Sequence, residues 1–223
     1  MDDLDLLLAG AAQAAAARDA LGAVPLPRPA GTLVAGAGRT LRVAIGVTGA
    51  SGAVFALDFA RRCPGDKYLV ASKWARAVLQ SELGAREEIF DPFVTARFSD
   101  GDLSAPLASG SNPIDAFVIV PCSISTAAKI AAGIGDTLIT RTAQVALKER
   151  RRLVLAIRET PLSGISLEAL ARVAREGATV FPLSPPWYGN PTCLDDLVHA
   201  TTNRLLAQIG VEVPGGWRQE DLE

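Results

Sequence analysis

One stretch of the chain gathers small residues at the spacing a phosphate site needs: positions 46–53 read Gly-Val-Thr-Gly-Ala-Ser-Gly-Ala. Small side chains let a backbone approach a ligand, and a helix starting there turns free N–H groups toward an anion. A tight glycine turn with no ligand is the plainer reading, and sharper ones compete with it. A dinucleotide loop wants G-x-G-x-x-G and an acidic residue closing the second strand, to hold a ribose. Here the glycines fall at Gly46, Gly49 and Gly52, and the second strand ends in Ser72-Lys73, which disfavours NAD. A hydrolase elbow wants G-x-S-x-G and a later histidine, and Gly49-Ala50-Ser51-Gly52-Ala53 breaks that pattern. The single histidine, His199, lies in a C-terminal helical stretch and reads as a surface or packing residue, which disfavours a serine–histidine triad. A P-loop lysine is missing too. A mononucleotide, with one phosphate and no adenosine half, fits best.

A second set of residues is charged and falls at helix faces and strand ends. Arg141 and Lys148 lie seven apart on one predicted helix, hence on one face. Arg158 ends the next strand and Arg204 sits on the last helix. Each of them alone reads as an ordinary surface cation. Glu159 follows Arg158 at the C-terminal end of a strand, where active-site groups gather, and a water-poor setting there would suit a general acid. Glu82 reads equally as a helix-surface carboxylate. Cys122 is a poor nucleophile candidate with no histidine base near it. Arg150, Arg151 and Arg152 read as solvated.

The bulk composition narrows the class. The 223 residues are 49% apolar with 20 Gly and 14 Pro, which suits one α/β domain with many short turns. A net charge of −2 gives no pull toward nucleic acid or anionic lipid. Cys63, Cys122 and Cys193 are sparse and form no CxxC pair, which argues for a reducing compartment and against a disulfide framework or a zinc site. No apolar run reaches membrane-span length, and the acidic start (Asp2, Asp3, Asp5) is unlike a signal or transit peptide. The expectation is a cytoplasmic protein with no metal, no membrane and no nucleic-acid partner.

The elements that must position these residues follow from periodicity. Residues 1–20 have helical spacing, and 21–40 string together prolines and glycines as a linker. Strands are expected at 42–48, 68–71, 117–121, 153–157 and 179–182. Helices are expected at 53–62, 73–83, 125–132, 138–149, 167–176 and 194–209, with Gly84 and Gly177 as C-caps. The strands are continuous apolar runs, so both sheet faces should carry helices. That is a doubly wound, mostly parallel, Rossmann- or flavodoxin-like sheet over 41–217, with ligands at the strands' C-terminal ends and a short tail at 218–223.

Several motifs then occur in order: Gly49-Ala-Ser-Gly-Ala53, Ser72-Lys73, Ala108-Ser-Gly-Ser111, Pro121-Cys-Ser-Ile-Ser-Thr126 and Leu147-Lys-Glu-Arg150. After them come Val154-Leu-Ala-Ile-Arg-Glu-Thr-Pro-Leu162, Trp187-Tyr188, Asp195-Asp196 and Asn203-Arg204. This series resembles the UbiX-type flavin prenyltransferases, within the homo-oligomeric flavin-containing cysteine decarboxylases, over about residues 41–217. The decarboxylase branch is marked by a histidine-centred site and a P-x-M-N motif, where this chain has Pro121-Cys-Ser-Ile.

The resemblance implies a metal-independent enzyme in which dimethylallyl monophosphate alkylates reduced FMN at N5 and a ring closes onto C6. The prenylated FMN serves a partner decarboxylase, and the enzyme assembles as trimers or dodecamers with sites between subunits. It implies FMN contacts from Gly49, Ala50, Ser51, Gly52, Ser72, Cys122, Ser123, Ser125, Thr126 and Arg158. A prenyl-phosphate pocket falls to Arg141, Lys148, Arg158, Tyr188 and Arg204, and proton handling to Ser51, Glu82 and Glu159. Where relatives carry an aromatic after Ser-Gly-Ser this chain has Asn112, and where many carry Phe-Tyr-His it has Trp187-Tyr188-Gly189. The prenyl lining thus falls to Asn112 and Trp187, and the donor's identity stays open. Two other readings stand beside it: an FMN-dependent decarboxylase of the same fold, and an FMN-binding subunit without activity.

The linker composition places residues 1–38 outside the core. Deleting them is expected to leave flavin binding and assembly intact, checked by flavin absorbance and sedimentation. Collapse of the assembly would make the extension structural.

Overall fold

The computed structural model describes residues 40–213. The expected N-terminal helix, nearly all of the linker and the tail lie outside them. Six strands, β1 (Arg42–Val47), β2 (Asp66–Ala71), β3 (Ala96–Ser99), β4 (Ala116–Cys122), β5 (Arg152–Ile157) and β6 (Thr179–Pro182), form one sheet. Its order is β3-β2-β1-β4-β5-β6, and every pair is parallel. Parallel neighbours need crossovers, supplied chiefly by α1 (Ala53–Arg62), α2 (Lys73–Leu83), α3 (Ile124–Ala131), α4 (Leu138–Lys148) and α5 (Gly164–Arg175). A last helix, α6 (Leu194–Gln208), follows β6.

Strand side chains alternate between two cores. Val43, Ile45, Val118 and Val120 pack with Phe59 of α1, Leu79 of α2 and Leu205 of α6. Ala44, Phe117, Ile119 and Leu155 face the other way, onto Ile130 of α3, Leu138 of α4 and Leu170 of α5. Each large apolar side chain so buried contributes about 1.5–3 kcal/mol. The sheet is covered on both sides, as its unbroken apolar strands require.

The boundaries differ from the sequence reading where local polar contacts decide them. β3 was not anticipated: its Ala-Arg-Phe-Ser is half-buried at the sheet edge and is no apolar run. Arg97 ties it to the preceding 3-10 turn through Glu87 (3.2 Å) and Asp91 (2.6 Å). α5 begins three residues early because the Ser163 hydroxyl accepts the Ser166 N–H at 3.1 Å. Gly84 (φ 61°) is the C-cap of α2 as expected, whereas the C-cap of α5 is Glu176, with Gly177 (φ 98°) directly after it. Arg151 and Arg152 are not merely solvated: Arg151 donates to the Asn112 carbonyl at 3.0 Å, and Arg152 to that of Ile209 at 2.8 Å.

α6 docks on α1 through polar groups. Arg62 of α1 donates to the His199 carbonyl at 3.1 Å and to the Asn203 side chain. The His199 ring lies 3.4 Å from the buried Asp58 carboxylate, so His199 is a packing residue.

The start of α1 is capped from a distance. Its N-cap is Gly52, at φ 109° in the left-handed region, where a residue with a Cβ is strained and where no side chain can cap. Glu82 near the end of α2 does the work instead, accepting from the Gly52 N–H (3.0 Å) and the Ala53 N–H (2.8 Å). A carboxylate there also faces the positive end of the helix dipole. Glu82→Ala strands two N–H groups and is expected to lower stability by about 1–3 kcal/mol. Glu82→Gln, which keeps one accepting oxygen, loses less. Urea midpoints check this, and an unchanged midpoint in the alanine variant would show the cap to be idle.

Candidate functional site

β1 is flanked by β2 on one side and β4 on the other. The chain leaves β1 into α1 on one face of the sheet and leaves β4 into α3 on the other. The connections therefore diverge, and a crevice opens at the strands' C-terminal ends. Thr48, 2% exposed, fastens its floor. Its hydroxyl donates to the Pro121 carbonyl at 2.9 Å and accepts the Ser123 N–H at 2.8 Å. Pro121 has no N–H for the ladder, and the β4–β5 register slips between Ile119 and Cys122. Sequence reasoning passed over Thr48; its signal was a lone polar residue directly after the buried run 43–47.

The crevice holds a cavity of about 500 Å3. Of the residues expected to hold a flavin nucleotide, Gly49, Ser72, Ser123, Ser125 and Thr126 line it together. Ala50, Ser51 and Gly52 continue the loop from Gly49 toward α1, with Ser51 exposed. Cys122 is fully buried at the end of β4, and burial raises its thiol pKa well above the usual value. Ser72 and Ser123 are the N-caps of α2 and α3, accepting from Ala75 (3.1 Å) and Thr126 (3.3 Å). The Gly52 and Ala53 N–H groups expected for a phosphate are taken by Glu82, which corrects that part of the sequence reading.

The rest of the lining was not assigned to the site from the sequence, although Lys73 was noted in the Ser72-Lys73 pair: Lys73, Trp74, Asp100, Lys129, Thr137, Ile139 and Thr140. Their hydroxyls and ammonium groups suit the polyol and phosphate of a flavin mononucleotide, and the volume falls in the range of small-molecule sites. Lys129 is paired with Asp136 at 2.7 Å, and that hydrogen bond holds the Asp136 carboxyl below the usual carboxylate range. Asp100 accepts the Ile139 N–H at 3.0 Å and so sits at the start of α4. Gly49 is where Trp74 packs: a Cβ at 49 would lie 2.5 Å from the Trp74 Cβ. Among the described residues no group of three His, Cys, Asp or Glu side chains could hold a metal, and no helix is long and apolar enough to cross a membrane.

The cations expected around a prenyl phosphate lie outside this cavity in the protomer. Arg141 donates to the Ala108 carbonyl at 3.1 Å, and Lys148 pairs with Glu149 beside Gly110, so both face the 108–111 segment. The Arg158 N–H donates to the Cys122 carbonyl at 3.3 Å, setting Arg158 at the crevice edge with its side chain exposed. Arg204 is exposed on α6. Trp187 and Tyr188 are 71% and 53% exposed. Asn112 donates its side-chain amide to the Pro106 carbonyl at 3.0 Å. Glu159 is exposed, its carboxylate accepting the Thr160 N–H at 3.0 Å, so the water-poor setting expected for it is not supplied by one protomer.

Comparison with known proteins agrees with this geometry. The family model described as Flavoprotein matches residues 35–206. The flavin prenyltransferase UbiX of Thermoplasma acidophilum is 45% identical over 172 residues, covering 77% of this chain and 96% of the relative. The crystal structure of AnUbiX (PadA1) in complex with FMN and dimethylallyl pyrophosphate superposes with a TM-score of 0.76 at 38% identity, over 81% of this chain and 100% of that one. The dodecameric FMN-dependent UbiX-like decarboxylase from Escherichia coli O157:H7 gives a TM-score of 0.76 at 35% identity, over 79% and 99%. A switch-point crevice lined by Gly49, Ser72, Ser123, Ser125 and Thr126, on a chain so closely related along its folded length, places this protein in the flavoprotein family, among the UbiX-type flavin prenyltransferases.

Proposed function

We propose that this protein joins a dimethylallyl group from dimethylallyl monophosphate to reduced FMN, at N5 and C6, making prenylated FMN for a partner decarboxylase in the cytoplasm. The observation that carries the reading is the hydroxyl-lined cavity at the switch point, in a chain 45% identical to a flavin prenyltransferase over nearly all of that relative. The catalytic domain is the segment 41–217.

Reduced FMN supplies the nucleophilic ring nitrogen. The chain's own residues bind and orient. Gly49 to Gly52, Ser72 and Ser123, Ser125 and Thr126 cradle the nucleotide, above Cys122 and beside Arg158. Arg141, Lys148, Arg158, Tyr188 and Arg204 hold the allylic phosphate, where their charge counts most as the leaving group departs. These groups are exposed and spread over α4, the end of β5, the segment between β6 and α6, and α6 itself, so a second copy of the chain is needed to bring them together and exclude water. That fits self-association as trimers or a dodecamer. Glu159 and Ser51, both exposed in the protomer, pass the proton to the leaving phosphate, while Glu82 is committed to α1. Trp187 and Asn112 line the prenyl side.

A second reading is decarboxylation with bound FMN, favoured by the name of the Escherichia coli neighbour and of a phenylacrylic acid decarboxylase from Aquifex aeolicus (TM-score 0.70, 34% identity). The two separate cleanly by mass spectrometry of the flavin after reduced protein meets dimethylallyl monophosphate. A gain of one dimethylallyl unit is expected; CO2 release from an aromatic acid without a prenyl donor, and no flavin mass change, would overturn the proposal.

Arg158→Ala and Lys148→Ala are expected to retain FMN and lose transfer by roughly 30- to 1000-fold, about 2–4 kcal/mol at the transition state. Arg158→Lys should fail substantially as well, since an ammonium cannot reproduce the guanidinium fork. Flavin absorbance reports retention and product mass reports transfer; wild-type rates in both alanine variants would sink the pocket.

A further inference from the structure

The phosphate of a mononucleotide carries more than one negative charge at neutral pH, and the cavity offers unequal places for it. Two cations line it, Lys73 and Lys129. Lys129 is already neutralised by Asp136 at 2.7 Å. The start of α1, otherwise the natural anion seat, is filled by the Glu82 carboxylate, which would repel a phosphate. Asp100, the acidic group lining the cavity, is turned to the Ile139 N–H of α4.

Lys73 stands apart. Its recorded partner is the uncharged face of Trp74, with Nζ 5.5 Å from the ring centre, and no carboxylate among the described residues pairs with it. It is also the first residue of α2, where a positive charge opposes the helix dipole and no acidic residue stands in the first turn to offset it. A local rule is broken at the cavity wall without an internal gain, which is the mark of a functional position. An anion seated there would relieve the dipole conflict and complete the ion pair at once. Trp74 is 67% exposed and rests against Gly49, so it holds the lysine at the mouth of the phosphate loop.

We propose that Lys73, steadied by the face of Trp74, is the counter-charge for the phosphate of the bound flavin mononucleotide and makes the site select FMN over riboflavin. This rests on the reading of the cavity as the FMN site. Lys73 binds and Trp74 is a positioning residue; neither needs to touch the prenyl donor.

The test titrates the flavin-stripped full chain with FMN and with riboflavin, following flavin fluorescence. Lys73→Met is expected to weaken FMN by on the order of 10- to 100-fold, the range for a hydrogen bond to a charged group, and to leave riboflavin unchanged. Lys73→Arg keeps FMN within a few-fold. The salt dependence of FMN binding is expected to flatten in Lys73→Met, a readout that serves where riboflavin binds too weakly to titrate. Wild-type FMN affinity and salt dependence in Lys73→Met, or equal losses of both flavins, would overturn the inference while leaving the FMN site standing. A wild-type chain that binds neither flavin would instead overturn the site reading itself.

Discussion

The two-sided pairing of β1 is the constraint from which the site follows. With β2 on one edge and β4 on the other, the loops leaving β1 and β4 must part toward opposite faces, and nothing can fill the space between them but a ligand or water. The Thr48 hydroxyl, bonded to both the Pro121 carbonyl and the Ser123 N–H, keeps the two strand ends from drifting as the loops diverge. Both cores are arranged to hold that pairing rigid, with β1 and β4 contributing fully buried residues to each.

The electrostatics of the crevice are shaped by what the helices do with their own ends. α2 and α3 are capped by their own serines, which keeps those hydroxyls on the backbone. α1 has a glycine at that position and borrows a carboxylate from thirty residues away, which couples the phosphate loop to the far end of α2. That coupling means loop position and α2 packing cannot vary independently. Arg141 and Lys148, proposed for the allylic phosphate, are held differently, one by the Ala108 carbonyl of a surface loop and the other by the neighbouring Glu149.

The sheet was legible because its central strands are unbroken apolar runs, a pattern few alternatives share. β3 was not, because Arg97 and Ser99 carry no hydrophobic signal and the strand exists through edge pairing and ion pairs. At the site, the glycine and serine motifs could be read since each acts where it stands in the chain. Glu82, Thr48 and Trp74 could not, because their roles depend on partners 30, 73 and 25 positions away in the sequence. Arg151 and Arg152 misled for the same reason: a run of basic residues looks solvated until the carbonyls they reach are known.

Cys122 ends β4 beneath a site that handles a redox-active ring, and its fully buried thiol stays protonated. Peroxide and electrophiles attack thiolates, so a sulfur kept in this form is chemically quiet. The floor of the crevice can therefore use the small, polarisable packing of cysteine without the oxidative ageing that an exposed thiolate would suffer beside a reduced flavin.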